Sequence, residues 1–439
     1  MKVLKFGGTS VGSAQRMKDV AKLITDGEQK IVVLSAMSGT TNTLVEISDY
    51  LYKKNPEGAN DIINKLEAKY KQHIDELYST EEYKQKTLEF VKSVFDYIRS
   101  YTKDIFTLFE EKVILAQGEI ISTNMVTNYL QEQGVKAVLI PALEFMRTDK
   151  NSEPDLNYIR EKLQAQLEAN PDYEIYITQG FICRNAYGEV DNLQRGGSDY
   201  TASLIGAAIN ASEIQIWTDI DGMHDNDPRI VEKTSPVRHL HFEEAAELAY
   251  FGAKILHPTC VQPAKYANIP VRLLNTMEPT APGTLISNET EKGKIKAVAA
   301  KDNITAIKIK SSRMLLAHGF LRKVFEIFES YQTAIDMVCT SEVGVSMSID
   351  NTKHLNEIVN DLKKYGTVTV DHDMCIVCVV GDLEWENVGF EAKALDAMRD
   401  IPVRMISYGG SNYNISFLIR EADKKKALQS LSDTLFNHK

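Results

Sequence analysis

Over its first two-thirds the chain alternates short apolar runs with stretches of helical spacing, and no other feature constrains the fold as much. Strands are expected over 2–6, 30–35, 136–140, 174–178, 214–218 and 270–274. A run such as KIVVL leaves no polar face, as a strand covered on both sides requires. With helical patterns between the runs, a largely parallel sheet sandwiched by helices follows, an α/β fold. The stretch 44–115 departs from the alternation. It is almost wholly helical in pattern and rich in Lys, Glu, Tyr and Phe, and is expected as a helical insertion beside the sheet.

Two glycine turns carry the chemistry. The opening MKVLKFGGTSVGS runs a strand carrying Lys5 into Gly7 and Gly8, with Thr9, Ser10 and Ser13 available to cap the next helix. That helix has Met17, Val20, Ala21 and Ile24 at helical spacing. Backbone N–H groups in such a turn form a concave anion site, and the helix N-terminus adds favourable partial charge. The second segment is QRGGSDYTASLIGAA. Arg195 can fork two hydrogen bonds onto a carboxylate or phosphate, Gly196 and Gly197 allow close backbone approach, and Ser198 is the expected N-cap. A glycine-rich helix start also serves simply to pack a helix on a strand, so neither segment decides the matter alone. No Walker pattern and no glycine-spaced dinucleotide fingerprint occurs. The expectation is phosphate chemistry without a P-loop.

KFGGTS at 5–10, VVLSAMSGTTN at 32–42, QGE at 117–119, TQGFI at 178–182, RGGSDYTA at 195–202, WTDIDG at 217–222, DPR at 227–229 and FGAKILHP at 251–258 follow one another as in aspartate kinases. The chain resembles a monofunctional aspartokinase over essentially its whole length. The resemblance implies an amino-acid kinase fold over 1–280 and transfer of the ATP γ-phosphoryl group to the β-carboxylate of L-aspartate. That reaction is the first step of lysine, threonine and methionine biosynthesis. A carboxylate with a reference pKa of about 3.9 is already ionised, so no general base is needed. The enzyme must instead bring two polyanions together, align them and neutralise the transferring charge.

The roles implied fall on particular residues. Lys5 contacts the ATP phosphates and stabilises the transition state, while the backbone of Gly7 and Gly8 holds phosphate oxygens. Arg195 clamps a substrate carboxylate with Ser198 beside it, and Glu119, read as a glutamate at a helix start, pairs with the substrate ammonium. Ser35 and Thr41 hold the aspartate side chain. Asp199 organises Lys5 and the waters of a magnesium ion that arrives with ATP, with no direct protein ligand. Thr218, Asp219, His224, Arg229 and Lys254 hold the nucleotide. Two positions differ from the family pattern: Gln194 stands where glycine is usual, and His224 where tyrosine is frequent. Rival readings are another kinase of the same fold, acting on acetylglutamate or UMP, and a catalytically silent amino-acid sensor. The retained Lys5, Arg195, Asp199 and Lys254 weigh against the sensor, and RGGSDYTA with tandem C-terminal repeats against the other kinases.

Composition narrows the partners. A formal charge of −11 disfavours nucleic acid and anionic membranes. No apolar stretch approaches the roughly 18 residues of a spanning helix, and no apolar signal core opens the chain, so a cytoplasmic location is expected. Five cysteines, an odd number, fit a reducing compartment. Cys375 and Cys378 lie in CIVCVV, a strand whose residues three apart face opposite sides, poorly placed for one metal. HLHFEE at 239–244 is expected as a strand end entering a helix rather than a metal site.

Past a Pro-, Gly- and Thr-rich connector at 281–295, GFLRKVFEIFESYQTAIDMVCTSEVGVSMSI repeats as GFEAKALDAMRDIPVRMISYGGSNYNISFLI, with the leading glycines at 319 and 389. Each copy reads helix, strand, turn, strand, helix, and each needs a neighbour to cover its sheet. The pair resembles tandem ferredoxin-like βαββαβ ACT units, the first inserted at 311–371 and the second formed by 296–310 and 372–439. ACT units commonly complete their sheets across subunits, which implies at least a homodimer. They also imply feedback by an end-product amino acid, lysine first and threonine or none as the alternatives. Met314, Asp336 and Ser341 match the effector site of lysine-sensitive aspartokinases, while Leu316 and Ala317 replace polar residues there.

Overall fold

The computed structural model describes residues 1–436 apart from 104, 194–195, 254–255, 313–317 and the side chain of residue 258. The chain forms two compact units, one of residues 1–223 with 255–288, the other of 224–254 with 289–439. The segment 224–254, which carries DPR and FGA, thus groups with the C-terminal repeats.

In the first unit β1 (Lys2–Phe6) leads through α1 (Ala14–Ile24) to β2 (Lys30–Leu34). Ser13 caps α1, its hydroxyl accepting from the Arg16 amide at 3.3 Å. Then come α2 (Thr40–Tyr52), α3 (Pro56–Leu77), α4 (Glu81–Ser100) and α5 (Leu108–Glu132). Asn55 caps α3 ahead of Pro56, and Thr107 with Glu110 forms a capping box on α5. The helical stretch expected to end at 115 therefore continues: α5 passes through QGE without a break. Strands β3 (Ala137–Leu139), β4 (Ile175–Gln179) and β7 (Ile214–Thr218) follow, interleaved with α6 (Leu156–Ala169), the hairpin β5 (Ile182–Arg184) and β6 (Val190–Asn192), and α7 (Gly197–Ile209).

The chain then enters the second unit as β8 (Met223–His224), β9 (Pro236–Val237), β10 (His239–His241) and α8 (Phe242–Tyr250). HLHFEE is thus a strand end entering a helix. The first unit closes with α9 (Gln262–Tyr266), β11 (Val271–Asn275) and β12 (Thr284–Ser287). Its strands lie in the order β12-β11-β7-β1-β2-β4-β3, all parallel but β12. Part of the expected connector is therefore strand: β12 pairs antiparallel with β11, Val271 opposite Ile286. The Pro-Gly signal before TLIS hid it. Gly283, at φ +65°, passes so close over the Leu273 carbonyl that any Cβ would collide with it.

The second unit carries one antiparallel sheet, β14-β15-β13-β16-β18-β17, from β13 (Ile295–Lys310), β14 (Met337–Thr340), β15 (Gly344–Ile349), β16 (Thr367–Gly381), β17 (Val403–Tyr408) and β18 (Asn414–Arg420). Helices α10 (Phe320–Ser330), α11 (Leu355–Leu362), α12 (Phe390–Ala397) and α13 (Lys424–Leu435) cover it. Strands β13 and β16 run through both βαββαβ units, side by side, and irregularities near 301–306 mark the change of unit. Before that point β13 pairs with β16 alone; beyond it, Thr305–Lys310 also pairs with β15. Asn303 and Asp373, both at positive φ, sit at this break. The repeat shows in the caps as well: Gly319 and Gly389, at φ +81° and +90°, stand at the N-caps of α10 and α12. Two cores result, one around Ile307, Val324 and Met347, the other around Val377, Phe390 and Phe417.

Candidate active site

Chain order reverses at β1, which lies between β2 and β7; at such a switch point the loops leaving the carboxyl ends of the strands part and open a crevice. A cleft of about 390 Å³ lies there, lined by Lys5, Gly8, Ser35 to Gly39, Thr41, Asn42, Glu119, Phe181 and the start of α7. Two helix N-termini, those of α2 and α7, open onto it, each behind a left-handed glycine, Gly39 and Gly196. Neither has a side-chain cap, so their first amides suit an anionic ligand. The expected N-cap Ser198 is thus the second residue of the helix, two positions past the cap. Its hydroxyl accepts from the Ser35 hydroxyl at 2.9 Å, across the cleft from β2 to α7.

Lys5, the penultimate residue of β1, pairs with Asp199 at 2.7 Å, both side chains mostly buried. Glycine is needed at position 8, where a Cβ would lie 2.8 Å from the Ala36 carbonyl; one on Gly7 would meet the Lys5 ammonium at an ordinary contact of 3.5 Å. The Ser38 amide donates to the Gly8 carbonyl at 3.1 Å, fastening the two loops together.

Glu119 lies mid-helix in α5 and not at a helix start. Gly118 lets α5 come against the loop, since a Cβ there would meet Ala36 Cβ at 2.7 Å. Glu119 is only 3% exposed, and its Oε2 has no hydrogen-bond partner among the described residues. Burial pushes its carboxyl up to about 8, against the opposing pull of the Ala36 amide. A buried acid with one oxygen unpartnered is a receptor for a cation or an N–H donor.

The remaining expected residues divide. Ser35, Thr41, Ser198 and Asp199 line the same cleft as Lys5 and Glu119. Thr218 ends β7, its hydroxyl 3.3 Å from the Ile220 amide, and Asp219 beside it is exposed. In the second unit, His224 Nδ1 lies 2.9 Å from the Thr234 hydroxyl, and Arg229 is held by both oxygens of Asp227, at 2.9 and 2.7 Å. Arg195, Lys254, Met314 and the Gln194 departure lie outside the described residues. Asp336 and Ser341 stand at opposite ends of β14. Asp336, matched to the effector site, has its Oδ1 on the Lys301 ammonium at 2.9 Å and the Tyr250 hydroxyl at 2.8 Å. Sequence reasoning did not single out Asn42 or Phe181. Phe181 holds φ +70°, costly for an aromatic residue and a mark of ligand-facing turns. Its amide donates to Thr201 Oγ1 at 3.1 Å. No periodic pattern announces such a residue.

No group of three or more His, Cys, Asp or Glu suited to a metal ion occurs among the described residues. The glycine turn beside the Lys5 ammonium suits an anionic ligand.

A profile of the Amino acid kinase family matches residues 1–275 and an ACT domain profile matches 377–435, which sets the class: an amino acid kinase with an ACT region. Aspartokinase 1, chloroplastic, of Arabidopsis thaliana is 35% identical over 467 aligned residues, 99% of this chain and 80% of that protein. The crystal structure of E. coli aspartokinase III with aspartate and ADP, in its R-state, is similar over all of both chains, with TM-score 0.86 and 30% identity. The same enzyme with lysine and aspartate, in its T-state, gives TM-score 0.79 and 31% identity over the same span. The chain belongs to the aspartokinase family and is an aspartate kinase.

Proposed function

We propose that the enzyme phosphorylates the β-carboxylate of L-aspartate with MgATP, yielding 4-phospho-L-aspartate at the head of lysine, threonine and methionine synthesis. The observation that carries this reading is the joining, in one cleft, of the Lys5–Asp199 pair and the buried Glu119, whose Oε2 lacks a partner among the described residues. The aspartate and ADP bound by E. coli aspartokinase III support it. The α-ammonium of aspartate goes to Glu119, and its carboxylates go to Arg195, Ser198, Ser35, Thr41 and the amides opening α2 and α7. ATP brings the phosphoryl group, and the Mg²⁺ bound to it neutralises part of the charge. Gly7 and Gly8 hold phosphate oxygens, and Lys5, steadied by Asp199, neutralises the transferring group as it leaves ADP for the ionised carboxylate. No proton needs to be removed. Thr218, Asp219, His224, Arg229 and Lys254 hold the nucleotide.

The domains of this reading are a catalytic region 1–280 and two ACT units at 311–371 and 296–310 with 372–439, the strand residues 305–310 pairing also with β15 of the first ACT unit, associating as at least a dimer in the cytoplasm. Lysine is the proposed effector, bound near Met314, Asp336 and Ser341, supported by the lysine bound in the T-state relative. Since Asp336 already holds Lys301, a ligand ammonium must displace or share that partner. A coupled assay offering aspartate, acetylglutamate and UMP as acceptors tests the assignment. Turnover with aspartate alone is expected, and turnover with either rival but not aspartate would end it.

A further inference from the structure

The helical insertion meets the edge of the cleft at one buried point. The Tyr70 hydroxyl of α3 lies 2.8 Å from the Thr40 hydroxyl, and both residues are 1% exposed. Thr40 is the first residue of α2, directly after the left-handed Gly39 and directly before Thr41, which lines the cleft. Its methyl faces α5: a Cβ on Gly118 would lie 3.2 Å from Thr40 Cγ2. The start of α2 is therefore wedged between α3 and the residue preceding Glu119. Lys69, next to Tyr70, donates to the Ser38 carbonyl at 3.4 Å, a second grip on the same loop. Tyr70 is itself held from behind, its ring centre 5.9 Å from that of Phe95 on α4. Burial pushes its hydroxyl well above the ordinary tyrosine range, against the pull of the Thr40 bond and helped by the nearby Glu119, so it keeps its proton. The two hydroxyls are shut away from water, and removing either leaves the other without the partner it has.

We propose that Tyr70 is a positioning residue for the acceptor substrate: its bond to Thr40 fixes the start of α2, and with it Thr41 and the open amides that meet the carboxylates of aspartate. The proposal rests on the reading of this cleft as the aspartate site. It gives the helical insertion a task in acceptor binding, although no residue of α3 or α4 lines the cleft among the described residues. Groups that touch a substrate must be held to a fraction of an ångström, and an opening helix turn with no side-chain cap of its own depends on its neighbours for that. Lys5 and the glycine turn belong to β1 and the loop after it, not to α2. Loosening α2 therefore costs aspartate more than it costs the nucleotide.

The test is steady-state kinetics on the full-length enzyme, with aspartate and MgATP varied in turn and the thermal midpoint measured alongside. Tyr70→Phe keeps the ring against Phe95 and removes only one hydroxyl; Thr40→Val keeps a methyl over Gly118 and removes the other. Each is expected to raise the aspartate KM about fivefold or more, with the MgATP KM within about twofold of wild type. The double variant should be no worse than either single one, since all three lack the same bond. A lowered thermal midpoint with both KM values unchanged would make the bond merely structural and overturn the proposal. So would a rise in both KM values together, or single effects that multiply in the double variant. Glu119→Gln checks the underlying reading. If it raises the aspartate KM while Tyr70→Phe does not, the proposal falls and the aspartate site stands. If Glu119→Gln leaves the aspartate KM unchanged, both fall.

Discussion

Lys5 and Asp199 are 194 positions apart in the chain and 2.7 Å apart in space, and the charge each needs is supplied by the other. Replacing Lys5 with alanine removes the one described cation lining the cleft. Removal of an oxyanion-type donor is worth about 10²–10³ in rate, and a full charge on a phosphoryl should be worth no less. Steady-state kinetics on Lys5→Ala should therefore show kcat down at least a hundredfold with the aspartate KM little altered; a loss within tenfold would contradict the role. Glu119 offers a pH signature. Its carboxyl rises from an ordinary 4.5 to about 8 on folding, so the folded protein keeps a proton that the unfolded chain releases. The stability linked to it is complete below pH 4.5 and is lost as the pH climbs through about 8. A substrate ammonium prefers the ionised form, so aspartate KM should fall severalfold between pH 6.5 and 8.5. Glu119→Gln should bind aspartate poorly and show no such fall. A wild-type profile flat across that range would remove Glu119 from amine recognition. The residue types at these positions were legible in the glycine turns and QGE. That Glu119 is buried with one oxygen unpartnered was not, because burial depends on Ala36 and Gly118 meeting from different elements.

At the scale of elements, the strands expected from apolar runs are present to within a residue or two, because continuous burial on both faces leaves a strong local signal. Capping was harder to read. Ser198 has the right chemistry for an N-cap, yet Gly196 in the left-handed region takes the position, freeing the serine hydroxyl to face Ser35. A Cβ on Gly196 would lie 2.6 Å from His257 Cβ and 2.9 Å from Cys260 Sγ, so Gly196→Ala should lower stability by about 1–3 kcal/mol, read from denaturant melts. Gly118→Ala is a sharper case. Within a helix, alanine ordinarily gains about 1 kcal/mol over glycine. Here the contact with Ala36 should reverse the sign and lower the melting midpoint; a stabilised variant would show that α5 can retreat from the loop. Neither effect is visible in helix propensity, since both arise from neighbours distant in sequence.

Over the whole molecule, the catalytic motifs do not all fall in one compact unit. Val231, which follows DPR, packs with Val377, Phe390 and Phe417, and the Val298 amide donates to the Asp225 carbonyl at 2.8 Å. A fragment beginning at residue 289 lacks those partners and should melt several degrees below the same region in the full chain. Equal midpoints in calorimetry would mean that segment 224–254 adds nothing to the second unit. The two long strands, 16 and 15 residues, each serve both ACT units. The repeat was legible because its glycine-capped helices restate one local pattern. The sharing was not, because strand pairing is a choice of partner and leaves no period in either strand.

What the sequence determined by itself was therefore local: the parallel strands, the helices between them, the glycine turns, the duplicated βαββαβ pattern and the kinase family. The structural features follow from periodicity or from a backbone conformation that only certain residues tolerate, and the family from the resemblance of its ordered motifs. Tertiary structure alone decided that Lys5 finds Asp199, that Glu119 is shut away from water, that DPR and FGA belong with the ACT sheet, and that Asp336 is already occupied by Lys301. These outcomes depend on charge and burial set by residues far apart in the chain, and such interactions exist only once the elements have packed.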